Sequence, residues 1–88
     1  MLNKISEIIK SLHNLESLMQ PYEEKYNIKS QDFYELAQAG KLEEDADFVK
    51  WMGYYELWLD NMKEYRQLFW SVPHPVLYSV VESASVPA

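Results

Sequence analysis

The chain has 88 residues, no cysteine, two histidines and a formal net charge of −6 at neutral pH. That length allows one domain at most, and the missing cysteines exclude disulfides, thiolate metal sites and cysteine chemistry together. The acidic balance disfavours nonspecific nucleic-acid binding, because phosphates repel such a surface, and it favours a basic protein partner.

The first ten residues, MLNKISEIIK, mix charge into a helical pattern and carry no continuous apolar core of signal-peptide length. No stretch approaches the roughly 20 apolar residues that span a bilayer. The expected location is therefore the cytoplasm, without membrane contact. A domain this small buries a modest fraction of its surface, so a homodimer or higher oligomer, or a protein partner, is the expected supplementary support.

Ile5, Ile8, Leu12, Leu15, Met19, Tyr22 and Tyr26 step three and four residues at a time, which places them on one side of a helix over about 3–26. Pro21 interrupts the pattern, since proline cannot donate to the Ser17 carbonyl and crowds that turn. Either the helix kinks there or it restarts with Pro21 in a new first turn. The apolar phase runs on through Tyr22 and Tyr26, which favours the kink.

Asn27 suits a left-handed C-terminal position, and Ser30 suits the N-cap of a short second helix over Ser30 to about Ala39. Phe33, Leu36 and Ala37 share a face of it, Gly40 is its stop signal and Leu42 anchors the turn that follows. Glu43, Glu44, Asp45 and Asp47 then precede or open a third helix expected from about Asp45 to Trp70. Acids at a helix start interact favourably with the backbone dipole, by about 0.3–1 kcal/mol each at best. The glycine and closing glutamate of a calcium loop are missing.

The third helix carries the second stripe: Phe48, Trp51, Tyr55, Trp58, Met62, Tyr65 and Phe69. Val49, Met52, Tyr54, Leu57, Leu59 and Leu68 widen it beyond what one neighbouring helix needs, enough for two or three. After Trp70, Ser71-Val72-Pro73-His74-Pro75 stops the helix. The last stretch, VLYSVVESASVPA, is rich in β-branched residues with no second strand to pair with. It reads as a disordered end, an extended arm, or a strand donated to a partner's sheet. The expected fold is all-α: an antiparallel helical hairpin of two long helices joined by a short helix over 1–71, with an extended C-terminal tail over 72–88.

No catalytic motif accompanies this scaffold. The serines and histidines lack triad context, and the two glycines, Gly40 and Gly53, are too far apart for a phosphate loop. The di-metal Glu-x-x-His pair fails, because Lys10 precedes His13 by three residues and Ser71 precedes His74. No catalytic residue, metal or cofactor is therefore assigned. Aromatic side chains stack on bases in single-strand binders, but such grooves also need lysine or arginine, and this helix has only Lys50, Lys63 and Arg66. Aromatic residues dominate the energetics of cores and protein interfaces alike. The expected partner-binding residues are Trp51, Tyr54, Trp58, Tyr65 and Trp70 on the third helix, with Val76, Tyr78 and Val80 in the tail. A self-assembling scaffold, two hairpins forming a four-helix bundle through Trp51 and Trp58, is the alternative.

One block is similar to a known group. Lys25-Tyr26-Asn27-Ile28-Lys29-Ser30 with Phe33, then Gly40, then Asp47-Phe48-Val49-Lys50-Trp51, resembles the pattern K-Y-G-x-x-S-x-x-F, glycine stop and D-F-x-x-W. That pattern belongs to small helical prokaryotic proteins encoded beside a small toxin gene and interpreted as the antitoxin half. Asn27 replaces the usual glycine, which a left-handed backbone tolerates. The resemblance covers about residues 22–58 and implies inhibition by binding, the antitoxin covering the active surface of a toxin.

Overall fold

The computed structural model describes residues 2–71. Three helices follow one another: α1, Leu2–Tyr26; α2, Ser30–Gln38; and α3, Ala46–Ser71. α1 runs unbroken through Pro21, so the continuous apolar phase outweighs the lost donor there. Its end is set by Asn27, whose φ of 59° lets the Ile28 N–H turn back to the Glu23 carbonyl at 3.3 Å. Gly40, at φ 69°, closes α2 in the same way, with its N–H on Ala37 and the Lys41 N–H on Leu36. Both are left-handed turns that return orphan carbonyls to hydrogen bonds.

The N-termini are capped by two different devices. Asp45 caps α3 as the acidic cluster suggested: its Oδ1 accepts the Asp47 N–H at 2.8 Å. In α2 the expectation fails. Lys29 holds the cap position with extended backbone and no side-chain hydrogen bond, and Ser30 is already helical. A carboxylate from α1 does the capping: Glu23 Oε2 accepts the Ser30 N–H at 2.9 Å. A free N–H at a helix start accepts help from any anion the tertiary fold brings there, so local spacing could not find this one.

α1 and α3 pack antiparallel, as the facing pairs along their length show. Tyr26 meets Phe48, Tyr22 meets Trp51, Glu16 meets Trp58, Ser11 meets Asn61 and Lys4 meets Glu64. Ile8, Leu12, Leu15 and Met19 are buried along the seam. α2 lies against the first half of α3, and Met19, Phe33, Trp51 and Tyr55 form the core where all three helices meet.

Trp51 is the centre of that core, with none of its surface exposed. Phe33 stacks on it at 3.9 Å between ring centroids and 3° between planes, and Tyr22 and Tyr26 stack on it at 5.6 and 5.9 Å. Its indole N–H still needs an acceptor in this dry environment. Ser30 Oγ supplies it at 2.8 Å, and the Ser30 hydroxyl in turn donates to Glu23 Oε2 at 2.7 Å. One polar chain thus joins α3, α2 and α1.

Replacing Trp51 with alanine removes this whole centre, so Trp51→Ala is expected to cost about 3–5 kcal/mol in denaturant unfolding. Ser30→Ala deletes little volume but strands the indole N–H, for an expected loss of about 1–3 kcal/mol. Equal stability of wild type and Ser30→Ala would remove the relay from the account.

Candidate protein-interaction surface

The expected partner-binding residues separate into three groups. Trp51 is corrected to a core residue: its faces are taken by Phe33, Tyr22 and Tyr26 and its N–H by Ser30, so nothing of it is left for a partner. Tyr54, Trp58 and Tyr65 are half-buried on α3. Trp70, at the end of α3, is 79% exposed. Val76, Tyr78 and Val80 lie outside the described residues, as does the rest of the 72–88 tail.

The half-buried group is held by specific neighbours. Tyr54 tilts against Tyr22 of α1 at 6.4 Å. Trp58 stacks on Tyr55 at 5.5 Å and donates its indole N–H to Glu16 Oε2 at 2.9 Å. Tyr65 stacks on Phe69, which meets Trp70 edge-on at 5.0 Å. The aromatic series therefore passes from fully enclosed at Trp51 to open at Trp70 as α3 runs beyond the reach of α2. Tyr54, Trp58 and Tyr65 remain partly exposed and Trp70 mostly so.

Where α2 ends its cover, the three helices leave a groove of about 620 Å³ with Tyr55 and Trp58 in its wall. Glu16, Glu23 and Asp32 edge it, with Lys29 the one cation among its lining residues. Sequence reading missed Glu16 and Glu23. They stand on α1 just beside the apolar stripe, where a carboxylate ordinarily faces water, and only the packing of α2 and α3 turns them onto indole and backbone donors.

A second polar cluster fastens the loop end. Asp47 Oδ2 accepts from Lys25 Nζ and from the Tyr26 hydroxyl, each at 2.8 Å. The hydrogen bond from Lys25, and then that from Tyr26, holds the Asp47 carboxyl below its ordinary value. The same contacts raise Lys25 and Tyr26, each chiefly through its hydrogen bond with Asp47. Burial, and after it the charge of Glu35, pushes the Tyr55 phenol up. Among the described residues no cluster of histidine, aspartate and glutamate is arranged to hold a metal ion, and no helix is long and apolar enough to cross a membrane.

Against protein-family models, curated proteins and solved structures the chain gives no match.

The direction at Asp47 fixes a pH dependence. A carboxyl depressed in the folded state contributes stability that is fully present above its unfolded value, near 3.8, and that is lost as pH falls through the lower folded value. Asp47→Asn is therefore expected to flatten the fall in unfolding free energy below about pH 4. Chemical denaturation at a series of pH values measures this, and parallel curves for the two proteins would remove the assignment.

Proposed function

We propose that the chain is a non-enzymatic protein-binding module that acts in the cytoplasm and neutralises a cognate toxin by covering its active surface. The observation that carries the reading is where the apolar surface is left open. Of the six exposed large hydrophobic residues among the described ones, Val49, Leu57, Leu59 and Trp70 are on α3, the helix that also supplies Trp51 and Tyr55 to the core. A helix that both anchors the fold and presents apolar and aromatic side chains is a preorganised binding element, because its side chains lose little freedom on contact. The net charge of −6 selects for a basic partner and steers its approach. The resemblance of residues 22–58 to antitoxin-like proteins supplies the toxin in this reading.

Trp70 is the side chain on which the reading is most exposed to test. An open tryptophan at the end of a rigid helix becomes a hot spot once a partner encloses it, worth about 2 kcal/mol or more on truncation. Trp58→Ala, with its ring partly enclosed already, mixes loss of fold stability with loss of contact and is the less informative variant.

The experiment is purification of the tagged full chain from its own cells, with the stoichiometry of the eluted complex. The expected outcome is one small basic protein at a fixed ratio, whose inhibition of growth this chain suppresses on co-expression. Trp70→Ala is expected to weaken that complex about 30-fold, leaving helicity by circular dichroism unchanged. Removing residues 72–88 is expected to abolish it, because the tail is assigned to the same contact. Recovery of this chain alone, in a defined self-assembly, would overturn the neutralising role and leave the scaffold reading.

A further inference from the structure

The two long helices have a face that α2 does not cover. α2 packs through Phe33 and Tyr34 onto Phe48, Trp51 and Tyr55, and the Tyr34 hydroxyl reaches Glu56 at 3.4 Å. On the opposite side of the hairpin Tyr22 packs against Tyr54, Asn61 Nδ2 donates to Ser11 Oγ at 2.7 Å and Lys4 pairs with Glu64 at 3.6 Å. Leu57, 55% exposed on α3, and Leu18, 47% exposed on α1, stand on that side.

Two opposite charges are placed symmetrically about Leu57 on α3. Lys50 lies seven residues before it and Glu64 seven after, which keeps all three on one stripe of the helix. Each charge is about 10 Å along the axis from Leu57. Tyr54 and Asn61 fill the places between. Laid antiparallel on itself, this stripe sets Leu57 against Leu57 and Lys50 of each copy opposite Glu64 of the other, which makes that charge pairing twice. Isologous contacts have this self-complementary form.

We propose that this face, centred on Leu57 and flanked by Leu18, binds a second copy of the chain, with the two α3 helices crossing antiparallel. The size of the face is sufficient. Helices of 25 and 26 residues are about 38 Å long, and two side by side present roughly 700 Å² per copy. The pair then buries about 1,400 Å², inside the range of stable specific interfaces. The charges are available too. Lys50 makes no ion pair among the described residues beyond a longer-range action on the Asp47 carboxyl, and Glu64 pairs with Lys4 at 3.6 Å, with 60% of the lysine and 45% of the glutamate side chain exposed. Two hairpins joined this way form a four-helix bundle whose outer faces keep α2 and the groove beside it open. The inference concerns the chain alone and does not depend on the identity of a toxin.

Sedimentation of the purified full chain over a concentration series tests it, with no partner added. Wild type is expected to be a dimer. Leu57→Asp is expected to be monomeric with unchanged helicity, since Leu57 is not a core residue. Lys50→Glu sets glutamate against glutamate twice and is expected to weaken dimerisation roughly 3- to 30-fold. The double variant Lys50→Glu, Glu64→Lys rebuilds the pairing with signs exchanged and is expected to return affinity to within about 2-fold of wild type. A wild-type monomer at every concentration would overturn the proposal. So would a dimer that survives Leu57→Asp, or one that the double variant weakens more than Lys50→Glu does. If deletion of residues 72–88 turns a monomer into a dimer, the tail occupies this face, and that result also overturns it.

Discussion

The Trp51 indole carries two requirements that only the three helices together satisfy. Its faces need flat apolar neighbours, which Phe33 from α2 and Tyr22 and Tyr26 from α1 provide. Its N–H needs an acceptor away from water, and Ser30 provides that while donating its own hydroxyl hydrogen bond to Glu23. Remove any helix and either a ring face is wetted or a buried donor is stranded. α2, at nine residues, is too short to be stable alone. It persists because its first residue and its one fully buried ring are both engaged by the longer helices.

That dependence orders the rest of the molecule. Glu23 does the work of a helix cap and of a hydrogen-bond terminus at once, so the entry of α2 is tied to the last turns of α1. Asp47 ties the first turn of α3 to the same end of α1 through Lys25 and Tyr26. Farther along, α1 and α3 are held by the buried row Ile8, Leu12 and Leu15 and by single polar contacts: Glu16 to Trp58, Ser11 to Asn61 and Lys4 to Glu64. The aromatic stacking and the polar chain are concentrated at the loop end, where all three helices meet. The aromatic series on α3 follows that gradient, enclosed at Trp51 and exposed at Trp70.

The same gradient relates the two proposed contacts. Binding of a toxin draws on α3 where it extends past α2, together with the tail. Self-association draws on the stripe centred on Leu57, on the side away from α2. The two surfaces overlap at Tyr54 and Leu57 and diverge toward Trp70. They share α3 as a common backbone, and its rigidity at the loop end is what positions both.

Much of this was legible along the chain. The three-and-four spacing of Ile8, Leu12, Leu15 and Met19, and of Trp51, Tyr55 and Trp58, gave two long helices because side-chain direction in a helix follows from residue number alone. Asn27, Gly40 and Asp45 marked boundaries because left-handed backbone and N-terminal capping are local properties. The tertiary structure decided what depends on distance between elements: that Glu23 rather than Ser30 caps α2, that Glu16 meets an indole, and that Trp51 is enclosed while Trp70 is open. Both tryptophans sit in an aromatic helix, and no local pattern separates them. A nine-residue helix arriving from elsewhere in the chain covers one and stops short of the other.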